Sequence, residues 1–192
     1  MGKRYVGVVL AGGQSRRFGT AKAIAKKNNK AFYKYSIDAL APIVDCLLVV
    51  TNSNLEHIFD KEKTKIIHDT KKYQGQGPLA GIFTAMEKYP AEWYIAVPID
   101  VPFVETWVYE HLISQIEHGV DAIIPIVAGK RQPLIAIYHS STRNLIEKGL
   151  NKGERSVQKL LEKCTIKYVP FDEEGPFINI NDVIDYQQYI EG

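Results

Sequence analysis

A chain of 192 residues is long enough to bury a continuous core, and 45% hydrophobic against 24% charged residues is an ordinary globular balance. A formal charge of +2, with lysines scattered rather than gathered in a stripe, argues against a nucleic-acid partner. Cys46 and Cys164 lie too far apart for a disulfide framework or a paired metal-ligand spacing, and the apolar stretch 6–11 is too short for a signal segment or membrane span, so the expected setting is the cytoplasm, away from membranes.

The first predicted strand, 5–10, runs into a glycine-rich stretch, and the polar, basic residues 26–30 after it read as a solvated loop or turn. Apolar residues returning every three or four positions predict helices over 31–40, 54–59, 79–88 and 105–117. Between them, Val- and Ile-rich runs predict strands over 46–51, 65–67, 93–97 and 122–126. Beyond Gly129 the pattern loosens to a strand at 133–138, helices at 141–150 and 156–163, a short strand at 166–169 and a closing helix at 182–190. This alternation predicts an α/β fold of three layers, a mainly parallel twisted sheet with helices on both faces, as one domain over residues 1–192.

The stretch Leu10-Ala-Gly-Gly-Gln-Ser-Arg-Arg-Phe-Gly-Thr-Ala-Lys22 carries the first chemical signal. Small residues at Ala11, Gly12 and Gly13 let backbone amides approach a ligand, and Arg16, Arg17 and Lys22 add positive charge. Amides and cations at the C-terminal end of a parallel strand make a phosphate site. The loop is not a P-loop, because five residues separate Gly13 from Gly19 and Thr20 follows Gly19. Asn52, Asp69 and Asp100 each follow a predicted strand, so a parallel sheet aligns them with the first loop along one edge. An amide suits a base or ribose, and a carboxylate suits ribose hydroxyls or Mg²⁺. Singly, each reads as a turn former or helix cap.

Gly75, Gly77 and Ala80 fit a dinucleotide fingerprint with Asp100 twenty residues beyond Ala80, which opens an NAD-dependent oxidoreductase reading. Against it, seven residues separate Ile67 from Gly75, where the fingerprint should follow its strand directly, and Pro78 sits where the helix begins. Asn179 and Asn181 alternate with apolar residues, as two side chains on one face of a strand do. His111 and His118, seven apart, are too distant to chelate and read as a solvated helix face.

Leu10–Gly13, Ser15, Arg17, Gly19 and Lys22 together resemble the signature of the molybdenum cofactor guanylyltransferase (MobA-like) family of nucleotidyltransferases, with Ala21 where relatives often carry an acidic residue or Pro. The resemblance runs in order from Leu10 to Asn181. It implies a Rossmann-like nucleotidyltransferase fold and the transfer of GMP from GTP to the phosphate of molybdopterin, with Mg²⁺ as cofactor and pyrophosphate released. Leu10, Ala11, Gly12, Gly13, Lys22, Asn52, Asp69 and Asp100 are the implied nucleotide contacts. Arg17, Lys22 and Asp100 are the implied catalytic residues, and Asp100, in the Asp-x-Pro element Asp100-Val-Pro102, is the implied metal carboxylate. Gly77, Pro78, Gly81, Gln132, Asn179 and Asn181 resemble the second-substrate elements. Transient contact with molybdoenzymes or their chaperones is the implied protein partnership. A cytidylyl or sugar-phosphate nucleotidyltransferase and a non-catalytic nucleotide-binding subunit are the competing readings.

Overall fold

The computed structural model describes residues 3–12 and 24–191. In chain order these form β1 (Lys3–Leu10), β2 (Lys26–Lys27), β3 (Lys30–Ala31), α1 (Phe32–Leu40), β4 (Cys46–Thr51), β5 (Lys65–His68), α2 (Pro78–Lys88) and β6 (Ala91–Pro98). There follow α3 (Thr106–Ser114), β7 (Ala122–Val127), β8 (Lys130–Arg131), β9 (Ala136–His139), α4 (Arg143–Asn151), α5 (Val157–Leu161), β10 (Ile166–Phe171) and α6 (Val183–Tyr186).

The main sheet has the order β10-β7-β9-β6-β1-β4-β5, with β8 pairing β7. Strands β6, β1, β4 and β5 are mutually parallel, as are β10 and β7. β9 runs antiparallel to both its neighbours, β6 and β7. That reversal matters for the site, because it brings the start of β9 to the edge where the parallel strands end. Successive side chains on a strand face opposite ways, and the core divides accordingly. Val9, Val49, Ile95 and Ile137 join Ile37 and Leu40 of α1 and Val108 and Leu112 of α3 on one face. Val8, Leu48, Val50, Tyr94 and Tyr138 join α2, α4 and α5 on the other. The mainly parallel, doubly covered sheet expected from the alternation is the one observed.

The helix α2 shows how tightly this layer packs. Its Leu79, Ile82, Phe83 and Met86 are all buried, each contributing roughly 1.5–3 kcal/mol of gross burial. Gly81 lies on the sheet: a Cβ there would sit 2.8 Å from Leu10 Cδ2 and 3.3 Å from Val50 Cγ1.

Several boundaries differ from the sequence expectation. The predicted helix 54–59 is a shorter 3-10 turn, Glu56–Ile58, a form used in short pieces. Asn52 also captures the Asn54 amide in a local turn at 3.0 Å. The solvated loop or turn expected at 26–30 is an exposed turn at Asn28 (φ 50°) and Asn29 (φ 61°), the left-handed pair of a type I′ turn, and it closes the hairpin β2–β3, which was not expected. α3 stops at Ser114, so His118 lies beyond the helix, while His111 is exposed as expected and also packs edge-on against Phe171, with ring centres 5.3 Å apart. The closing helix is a short α6, capped by the Asp182 carboxylate accepting from the amides of Ile184 and Asp185, followed by a π-type turn at Gln187–Glu191. Residues 178–181 belong to no strand. The Ile180 amide donates instead to the Asp100 carbonyl at 2.8 Å.

Candidate active site

The C-terminal ends of β6, β1, β4 and β5 stand side by side, carrying Asp100, the first loop, Asn52 and Asp69 in that spatial order. With strands about 4.8 Å apart, the row spans about 14 Å, room for a nucleotide laid across the strand ends. Gly13, Arg17 and Lys22, expected to hold and neutralise phosphates, lie outside the described residues. Of the described part of that loop, Gly12 is exposed, and an added Cβ there would meet nothing within 4 Å. Ala11 corrects the sequence reading. It is buried, and its amide donates to the Val50 carbonyl at 2.8 Å, prolonging the β1–β4 ladder rather than facing a phosphate. Leu10 is likewise committed to the scaffold, its carbonyl accepting from the Ile99 amide at 3.3 Å and its side chain packing on Gly81.

Asn52 spends its Oδ1 on the Asn54 amide, so what it can offer a ligand is its NH₂ group. Asp69 sits half-buried beyond β5. Burial pushes its carboxyl above the usual range, partly offset by a hydrogen bond from the Gly75 backbone and by the charges of Lys88 and His68. Its Oδ1 is enclosed and has no hydrogen-bond partner among the described residues, a state that costs about 1–3 kcal/mol until a donor arrives. The loop from Gly75 leads to Gly77, whose φ of 85° suits glycine, and to Pro78 at the first turn of α2. Gly77 is exposed and Pro78 partly so, at the sheet edge beyond β5. Gly81 was expected beside the second substrate. It is a buried residue of α2, set against Leu10 and Val50, and its small size serves helix–sheet contact.

Asp100 opens a different part of the edge. It lines a cleft of about 260 Å³ together with Pro98, Gln132, Pro133, Leu134, Ile135, Asn179 and Asn181. Four residues singled out from the sequence, Asp100, Gln132, Asn179 and Asn181, therefore share one wall-to-wall space. The antiparallel course of β9 explains Gln132, since the chain enters that strand from the site edge. The Ile180–Asp100 hydrogen bond explains the two asparagines, which flank the bonded residue. Pro133, Leu134 and Ile135 complete the cleft and were not singled out. The Pro133 carbonyl is held by the Tyr138 hydroxyl at 2.6 Å, which shapes that wall. Gly77 and Pro78 do not line this cleft. Among the described residues, no cluster of three His, Cys, Asp or Glu side chains could hold a metal. No described helix is long and apolar enough to cross a membrane.

The family model of the MobA-like NTP transferase domain matches residues 7–168, most of the chain. The chain belongs to that family. A probable molybdenum cofactor guanylyltransferase of Bacillus cytotoxicus is 35% identical, over 98% of this chain and 97% of its own length. One of Halalkalibacterium halodurans is 38% identical, over 96% of each. The crystal structure of molybdopterin-guanine dinucleotide biosynthesis protein A from Archaeoglobus fulgidus superposes with a TM-score of 0.83 at 28% identity, covering 97% of both chains. In this MobA-like nucleotidyltransferase, Asn179 and Asn181 fall beyond the span matched by the family model, yet they close the cleft on Asp100.

Proposed function

We propose that this enzyme transfers the GMP group of GTP to the phosphate of molybdopterin and releases pyrophosphate. The observation that carries the reading is the shared cleft of Asp100, Gln132, Asn179 and Asn181, at one end of the nucleotide row formed by Asn52 and Asp69. An oxygen of the acceptor phosphate forms a bond to the α-phosphorus as the bond to the β-phosphate oxygen breaks, and pyrophosphate carries away the electron pair. The acceptor is already an anion, so the protein's contribution is positioning and charge compensation rather than proton abstraction.

On this reading the edge beyond β5 receives the nucleoside. Asp69 Oδ1 gains a ribose hydroxyl as its missing donor, and Asn52 donates through its NH₂. The backbone from Gly12 to Gly13 holds phosphates, while Ala11 and Leu10 support it from the sheet. Arg17 and Lys22 offset the charge growing on the α-phosphate and on the leaving pyrophosphate. Gln132, Asn179 and Asn181 offer carboxamides to the second substrate. Gly77 and Pro78 shape the nucleoside end instead.

The donor chemistry of the cleft fits Mg²⁺. Asp100 supplies a carboxylate with Oδ1 enclosed, and the other polar side chains among the lining residues are the carboxamides of Gln132, Asn179 and Asn181. Mg²⁺ takes hard oxygen ligands and completes its shell with phosphate oxygens and water, so a single carboxylate suffices. Bound there, held by Asp100, the ion would supply charge neutralisation to the phosphates. Hand-over of the product to molybdoenzymes or their chaperones, in the cytoplasm, follows from this role. Pyrophosphate release from GTP, CTP, ATP and UTP, with and without molybdopterin, tests the proposal. Release from GTP that depends on molybdopterin supports it; preferential release from CTP transfers the enzyme to the cytidylyl class.

A further inference from the structure

The turn that carries Asp100 is gripped at three alternate carbonyls by three separate elements. The buried Ser36 hydroxyl of α1 donates to the Pro98 carbonyl at 3.0 Å. The Ile180 amide of the C-terminal segment donates to the Asp100 carbonyl at 2.8 Å. The Lys27 ammonium donates to the Pro102 carbonyl at 3.2 Å. The first two are neutral groups fixed by a helix and by the chain itself; the third is a charge on the β2–β3 hairpin, a stretch expected to be a solvated loop or turn.

We infer that Lys27 is a positioning residue: by holding the Pro102 carbonyl, its ammonium fixes the turn that presents Asp100 to the cleft. A free surface lysine would not adopt this pose. The Lys27 ammonium lies 3.8 Å from the centre of the Phe103 ring and 5.1 Å from that of Tyr35, contacts that favour a cation over an aromatic face. Burial lowers its pKa, with Glu105 acting in the opposite direction and Lys30 reinforcing the fall. The hairpin beneath it is itself braced. Tyr35 donates to the Lys27 carbonyl at 2.8 Å, and Tyr186 of α6 donates to the Lys26 carbonyl at 2.6 Å. Tyr186 also stacks on Phe32 with ring centres 6.1 Å apart. Through Tyr186 the hairpin reaches the segment that carries Asn179 and Asn181, and through Lys27 it reaches Asp100. It follows directly on the chain segment that contains Lys22. One small hairpin thereby ties two site-bearing segments to a common frame, and Lys27 is its link to the carboxylate.

The inference rests on Asp100 being the metal carboxylate, and the experiment separates the two. Mn²⁺ binding to the full chain with GTP is followed by electron paramagnetic resonance, alongside turnover and thermal melts. The variants are Lys27→Met, Lys27→Arg, Asp100→Asn and Lys34→Met, the last losing the same charge from an exposed position on α1. Lys27→Met keeps a stem over Phe103 but loses the donor, so Mn²⁺ affinity and kcat fall about tenfold, the scale of one charged hydrogen bond. Lys27→Arg recovers most of the loss, KM for GTP changes little, and Lys34→Met matches wild type. If Lys27→Met changes only the melting temperature, with Mn²⁺ affinity and kcat within twofold of wild type, the inference is overturned. Should Lys27→Met not fold, Lys27→Gln is read by the same criteria. If Asp100→Asn itself binds Mn²⁺ as wild type does, the assignment of Asp100 fails first and takes the inference with it.

Discussion

Replacing Asp100 by Asn tests whether its charge serves chemistry or folding. The side chain keeps its shape and volume and loses its charge. The turn around it is held through the carbonyls of Pro98, Asp100 and Pro102, by Ser36, Ile180 and Lys27, and none of those three bonds uses the carboxylate. Stability should therefore change little, with the melting temperature within about 2 °C of wild type, equivalent to under 1 kcal/mol for a chain of this size. Turnover should fall by about two to three orders of magnitude, the usual cost of removing one placed electrostatic contact from a transition state. Pyrophosphate release under saturating GTP and molybdopterin, measured beside thermal melts of the same purified variant, gives both quantities. A capping or turn-forming Asp100 predicts the opposite pattern: a loss of about 0.5–2 kcal/mol, or roughly 1–8 °C, with activity preserved. Observing that pattern would refute the metal assignment and remove Asp100 from the site.

Three further outcomes are expected. Ser36→Ala deprives the buried Pro98 carbonyl of its 3.0 Å donor and should cost about 1–3 kcal/mol, seen in urea melts, with kcat falling more than KM for GTP rises; an unchanged kcat would mean that the turn tolerates losing one of its three anchors. Lys22→Ala should lower turnover by about two to three orders of magnitude, whereas Arg16→Ala should do little, since the family signature places its arginine at position 17; equal losses in steady-state assays would mean a diffuse positive field instead. Burial, with a smaller contribution from Asp121, pushes the Cys164 thiol up to about 11 from 9.0. Above pH 9 the folded chain then holds a proton that the unfolded chain releases, so this group's contribution to stability declines as pH rises from about 9 towards 11. Alkylation of Cys164, mapped by peptide mass analysis, should be slow at pH 8 and quicken about tenfold per pH unit; fast labelling at pH 8 would contradict the raised thiol of this half-buried residue.

Local chemistry in the sequence was enough to determine the alternation of strands and helices, because Val- and Ile-rich runs and three-to-four-residue periodicity record burial on a sheet or on a helix face. It was also enough to place Asn52, Asp69 and Asp100 at strand ends, since residues that follow parallel strands must emerge at one edge. The family signature in residues 10–22 was readable for the same reason: glycines and cations at close spacing carry their meaning without tertiary context. Distant pairing was not readable. That β9 enters the sheet antiparallel, and so delivers Gln132 to Asp100, depends on which strands it neighbours rather than on its own composition. That Asn179 and Asn181 flank a backbone bond to Asp100, rather than ride on a strand, depends on an amide–carbonyl contact some eighty residues away in the chain. Ala11 and Gly81 look like ligand-facing small residues in sequence, yet one continues a ladder and the other admits a helix, because small size permits close approach by protein and ligand alike. Lys27 is the clearest case. A lysine beside Asn28 and Asn29 has the composition of a solvated turn, and only the fold sets its ammonium between the Phe103 ring and the Pro102 carbonyl, where a long flexible side chain becomes a fixed anchor.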